Sequence, residues 1–186
     1  GIQSCSEPNL MRWSGRSLLT VGELKENKGE AMATKYLDLT FTDAVCRAQK
    51  QYYGRAGNIA GAPERDPLSQ AEAEFIAARD SFYLGSISES GWPYIQHRGG
   101  PQGFLRVMNG TTLVFADYKG NRQLLSTGNV SVNDRVALFL MDYKNRERLK
   151  ILGHARIEDA REHPELTEQF TDPKMRSSVE RLVFID

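Results

Sequence analysis

Cysteine is nearly missing from this chain, which has only Cys5 and Cys46 among its 186 residues. One lies in an irregular stretch and the other in a helix-like run, so neither a disulfide framework nor a zinc cluster is readable. That scarcity predicts a reducing, cytoplasmic compartment. Net charge is missing too, because 24 Lys and Arg balance 24 Asp and Glu. Without a global basic field, neither nucleic acid nor an anionic membrane is an expected partner, although a neutral chain can still hold a local basic pocket. No apolar run approaches the roughly 18 residues that span a bilayer. "LLTV" after Arg12 and Arg16 is too short for the core of a signal peptide. There is no Walker-type phosphate loop, dinucleotide-binding glycine fingerprint or nucleophile elbow, and no metal-ligand spacing around the histidines.

The rest of the composition is ordinary for a globular protein, at 40% hydrophobic and 26% charged residues. Residues 1–33 show no periodicity and are expected to form a mobile extension, with Met32 a natural chain start. Residues 34–68 should hold a helix and a loop. Val45, Ala48 and Tyr52 share a helical face, Gly54 is a stop, and "RAGNIAGAPERDP" is loop-like. From 69 to 186 one domain is expected. It begins with a capping box at Ser69 and Glu72 and a helix running to about Arg79. "SFYLGSIS" and "WPYIQHR" then form a hairpin, and "FLRV" and "TTLVFA" another across an Asn109-Gly110 turn. "DRVALFLMDY" and "RLKILGHARIED" are long strands, "PELTEQF" a short helix, and "VERLVFID" a strand left open, as if the chain continued past Asp186. About seven mostly antiparallel strands with flanking helices predict a mainly β, α+β fold. An antiparallel barrel is favoured because open edges would otherwise need cover.

Three stretches carry candidate chemistry. "VFADYKGNRQLLS" reads as a strand running into a helix that opens at Asn121, Arg122 and Gln123. The free N–H groups of a helix start attract anions, and a guanidinium there can bind phosphate through two parallel hydrogen bonds. The alternative is a plain Asn121 cap with a solvated arginine. "QHRGGPQG" places Gln96, His97 and Arg98 at a strand end before a glycine pair, which suits either a site lining or an ordinary loop. In "RLKIL", Arg148 and Lys150 alternate with apolar residues and therefore share one sheet face, either solvent or an anion site.

Together, "GWPYIQHRGG", "LVFADYKGNRQ" and "DRVALFLMDY…RLKILGHAR" resemble the pyridoxamine 5′-phosphate oxidase-like, FMN-binding split-barrel family, over roughly residues 75–186. The resemblance implies an antiparallel split barrel and a homodimer with FMN at the subunit interface. It also implies flavin-dependent oxidation or reduction of a small-molecule substrate or electron donor. Arg122 takes the place of a phosphate-binding arginine, and Gln123 stands where the oxidases have lysine. Phe115, Ala116 and Asp117 fall on the strand end that contacts flavin. Arg98 lies at the earlier arginine position with the candidate His97 beside it, Arg106 near a later lysine, and Asn121 in the phosphate loop. Arg148 matches a flavin-contacting glutamine, with Lys150 beside it. The arginine- and histidine-bearing segment that binds pyridoxal phosphate in the oxidases has no counterpart in these residues, so the resemblance concerns the flavin site more than the substrate. Other functions open to this barrel are a non-catalytic flavin or haem carrier and a binder of the deazaflavin F420.

Overall fold

The computed structural model describes residues 34–57, 61–120, 122–174 and 176–186. The expected extension over 1–33, with Met32, lies outside the described residues, as does Asn121. The described chain begins with two helices, α1 (Thr34–Thr40) and α2 (Asp43–Tyr53), neither of which buries a side chain. The second has the expected signals, a Thr42 cap accepting from the Val45 N–H and Gly54 in the left-handed region at φ 71°. The first was not expected. Its opening N–H groups, at Lys35 and Tyr36, donate to the two carboxylate oxygens of Asp66, so a distant side chain caps it.

Helix α3 (Gln70–Ala77) starts with the expected capping box and buries Phe75 and Ile76. The ladder of strands follows: β1 (Ser81–Ile87), β2 (Pro93–Gly99), β3 (Arg106–Asn109) and β4 (Thr112–Tyr118). Helix α4 (Leu125–Val132), β5 (Arg135–Asp142), β6 (Glu147–Asp159), α5 (Pro164–Phe170) and β7 (Val179–Ile185) complete it. All pairings are antiparallel, in the order β2-β1-β5-β6-β7-β4-β3. Strand β6 pairs with β5 up to His154 and with β7 from Ala155, so one long strand belongs to both halves. Gly153 sits at that change of partner. A Cβ there would lie 2.7 Å from the Ile185 side chain and 2.8 Å from the Asp186 carbonyl oxygen, too close for any other residue without movement.

Alternation along the strands builds two apolar layers. Phe82 and Leu84 of β1, Leu138 and Leu140 of β5, Leu149 of β6, Leu113 and Phe115 of β4, and Val183 and Ile185 of β7 fill the barrel, closed by α3. The opposite sides of β4 and β7 (Val114, Ala116, Leu182, Phe184) pack under Phe170 of α5. Strand β4 is buried on both faces for this reason.

Two local expectations are corrected. The β3–β4 turn is not a two-residue Asn109-Gly110 turn, because β3 runs through Asn109 and the ladder slips between Val107 and Asn109. The Asn109 side chain accepts from the Thr111 N–H (2.9 Å), so a local side-chain turn replaces the positive-φ geometry. The helix after β4 does not open at residues 121–123. It begins at Leu125, because Arg122 (φ 62°) and Leu124 (φ 53°) lie in the left-handed region, which a right-handed helix cannot include.

At the far end of β5, Arg79 joins α3 to the sheet through an ion pair with Asp142 (2.8 Å) and a hydrogen bond to the Met141 carbonyl (3.3 Å). The Asn145 backbone N–H, with its side chain and Arg79, pulls the Asp142 carboxyl down from 3.8 to about 2. A lowered folded-state value means that the link stabilises the fold fully above pH 3.8 and is lost as pH falls through about 2. An NMR titration should therefore give an Asp142 midpoint near 2, raised only in part by Asn145→Ala, which removes the side-chain bond and keeps the backbone N–H.

Candidate functional site

Strands β2 and β3 are the two edges of the sheet, and no backbone pairing joins β2 to β4. Across this split, side chains take over from the ladder. Inside the barrel, Phe82 meets Phe115 edge-on at 5.3 Å and stacks with Phe104 at 5.5 Å. At one end of the split, Asp117 ends the inward row Leu113, Phe115, Asp117 of β4 and is buried. Its Oδ1 accepts from Arg98 Nη1 of β2 at 2.5 Å, and its Oδ2 from Arg181 Nε of β7 at 2.9 Å. Arg181 is also Asp117's direct cross-strand neighbour. Nearby, Ser126 of α4 donates to Gln96 of β2 (2.7 Å) and Asn129 donates to Ser86 of β1 (3.0 Å), which seats α4 against the edge.

Gln96, Arg98, Asp117, Ser126 and Arg181 of these groups line a shallow, open cleft. Tyr94, Gln96 and Arg98 come from β2, Asp117 and Tyr118 from β4, and Glu180 and Arg181 from β7. The connecting segment adds Gly120, Arg122, Gln123 and Leu124, and the first turn of α4 adds Leu125, Ser126 and Thr127. Leu124 occupies the cap position of α4 and makes no side-chain cap bond. The Arg98 Nε is buried with no hydrogen-bond partner among the described residues, and its guanidinium lies 5.8 Å from the centre of the Phe115 ring. The charged lining is three arginines (98, 122, 181) against Asp117 and Glu180, leaving one positive charge in a chain whose net charge is zero. Burial raises the pKa of the Tyr118 hydroxyl, with Asp172 raising it further and Arg106 opposing.

Of the residues singled out in the sequence, Arg98, Asp117, Arg122 and Gln123 meet in this cleft. Phe115 is closed inside the barrel, and Ala116 faces α5 in the second layer. Arg106 is exposed on β3 opposite Val114, on the α5 side of the sheet. His97 has opposite parity to Arg98 and faces outward, its ring against Tyr83 at 5.5 Å. Arg148 and Lys150 also lie on the outer face of the sheet, in register with Met141 and Phe139. Trp92 sits exposed in the β1–β2 turn and Tyr94 reaches the cleft.

Sequence reasoning missed Arg181. A signal was present, because Arg181 continues the core row Val183, Ile185 just as Asp117 continues Leu113, Phe115. Opposite charges at the ends of two facing core rows mark a polar rim rather than solvent.

The fold and cleft define a split-barrel protein with an arginine-lined crevice at its open seam. Residues 68–182, more than half of the chain, match the family described as pyridoxamine 5′-phosphate oxidase, and the chain belongs to that family. No curated protein sequence matches it. A candidate pyridoxamine 5′-phosphate oxidase of Lactobacillus delbrueckii shares the fold at 14% identity and a TM-score of 0.51, over 66% of this chain and 92% of its own. General stress protein 26 of Bacillus anthracis is similar at 15% identity and TM-score 0.47, over 61% and 83% of the two chains. An FMN-binding protein of Syntrophomonas wolfei is similar at 11% identity and TM-score 0.41, over 61% and 78%. No helix among the described residues is long and apolar enough to cross a membrane.

Arg122 is exposed and held at φ 62°, a conformation that costs a non-glycine residue about 1 kcal/mol. Arg122→Gly should therefore raise the unfolding free energy by about 1 kcal/mol in a denaturant titration. No gain would mean that the left-handed backbone at this position is unstrained.

Proposed function

We propose that this protein is an FMN-dependent oxidoreductase that works as a homodimer, with the flavin phosphate at the seam cleft. The reading is supported by one convergence. Arg98 with its unpartnered Nε, Arg122 and the uncapped start of α4 border a single crevice with an excess of positive charge. A phosphomonoester answers all of these together, since it can accept from guanidinium and backbone N–H groups at once. Gln123 adds an amide where the related enzymes have lysine, and Ser126 and Thr127 add hydroxyls. When bound, the flavin supplies the electron chemistry, and the chain binds and orients it.

The second copy enters because His97, Arg148 and Lys150, which the family resemblance assigns to flavin contact, lie on the outer face of the sheet. That face is built in two cross-strand rows. One runs His97, Tyr83, Phe139, Lys150, and the other Ile95, Gly85, Ala137, Leu152. In the second row, small residues at the centre leave a shallow trough between exposed Ile95 (69%) and Leu152 (39%). An unpaired apolar sheet face of this kind suits association with a copy of itself. Pairing there would bring one protomer's outer cations toward its partner's flavin.

The purified protein should be yellow, release FMN on denaturation as identified by mass spectrometry, and lose its flavin colour with NADH or NADPH under anaerobic conditions. A haem spectrum or a released deazaflavin would replace FMN in this reading, and a flavin that stays oxidised would make the protein a carrier. Arg122→Gly should weaken FMN binding about tenfold or more, the usual size of a charged hydrogen bond. Ala137→Arg should convert the dimer to a folded monomer in sedimentation equilibrium; a dimer that survives it uses another face.

A further inference from the structure

We propose that Arg181 is a specificity-determining residue of the cleft: it occupies Asp117, and so leaves Arg98 with the spare positive charge that selects a phosphorylated ligand. The inference rests on the cleft being the phosphate end of the cofactor site. A buried carboxylate in a phosphate crevice is at first sight an obstacle, because it repels the ligand and neutralises the nearest guanidinium. Its surroundings remove the difficulty. Asp117 is 8% exposed in its side chain and splits its two oxygens between two arginines, themselves 17% (Arg98) and 19% (Arg181) exposed. One negative charge cannot cancel both. The buried trio therefore keeps one net positive charge, while the Arg98 Nε has no acceptor among the described residues.

Without Arg181, Asp117 and Arg98 would form a closed, neutral pair. Two other carboxylates face Arg181: Glu180 touches it at 3.1 Å but is 36% exposed, where solvent screens it, and Asp159, its cross-strand neighbour on β6, is engaged by Arg161 at 2.5 Å. Arg181 thus acts through Asp117 as well as on its own account. It holds the carboxylate away from full engagement with Arg98, fixes the rotamers of both, and supplies the charge that Asp117 would otherwise cancel. The expected ligand feature is a dianionic phosphomonoester, which gains most from such a site, and the dephosphorylated molecule gains least.

FMN and riboflavin affinities of the full chain, read by flavin fluorescence, test this. Arg181→Gln should weaken FMN ten- to hundredfold, the range for lost charged hydrogen bonds, and leave riboflavin within about threefold, a tolerance below one such bond. Arg181→Lys should recover most of the loss. The decisive variant is the double substitution Arg181→Gln with Asp117→Asn. Removing both charges restores the net positive charge, so FMN binding should return toward the wild-type value while riboflavin stays flat. Equal losses for FMN and riboflavin, or a double variant no better than Arg181→Gln, would overturn the assignment. Should the wild-type protein bind neither flavin, the cofactor reading fails by itself. Inorganic phosphate, followed by phosphorus NMR line broadening, then decides on Arg181: broadening with wild type that Arg181→Gln abolishes upholds the role, and no difference rejects it.

Discussion

Asp117 accepts from Arg98 on one oxygen and from Arg181 on the other, and in doing so joins the two sides of a barrel whose backbone leaves them unpaired. The sheet has edges at β2 and β3, and hydrogen-bond ladders cannot close that seam. Side chains close it instead, with Phe82, Phe104 and Phe115 inside and the Asp117 trio at the end. The same trio that shuts the seam also lines the cleft. Stability and site electrostatics are therefore set by one group of buried charges, and removing any member leaves another uncompensated.

The cleft shows the opposite of optimisation for stability. Arg122 and Leu124 hold left-handed backbone, α4 starts without a side-chain cap, and the Arg98 Nε is buried without a partner. Similar features occur elsewhere, with Arg146 left-handed at φ 59°, α5 starting without a side-chain cap and the Thr171 hydroxyl buried with no partner among the described residues, while other groups are satisfied by side chains. Ser69 and Glu72 cap α3 reciprocally, Asp66 caps α1 from thirty residues away, and Asn145 and Arg79 share Asp142.

Most of the fold is legible in the sequence. Strand alternation is strong because each strand buries one face, and the α3 capping box and Gly54 stop are local chemistry. The failures are also local in cause. The Asn109-Gly110 pair carries the usual hairpin signal, yet a slipped ladder and the Asn109 side chain produce another turn. "GNRQLL" looks helical because its composition permits a helix, and nothing in it announces positive φ at Arg122. Helix α1 escaped notice because its cap is supplied from a residue far along the chain.

For the site, the residue types were readable and their grouping was not. A strand places neighbours such as His97 and Arg98 on opposite faces, so their nearness in sequence separates them in space. Sequence by itself determined an antiparallel sheet, its strands, the apolar rows that fill it, and an arginine beside the β4–α4 joint, because these follow from periodicity and local turn chemistry. Only the tertiary structure decided that Arg98, Asp117, Arg122 and Arg181, from four separate segments, share one crevice while Arg148 and Lys150 lie outside it. That outcome depends on how the sheet coils and where its seam stays open, and both are set by long-range pairing that no local pattern encodes.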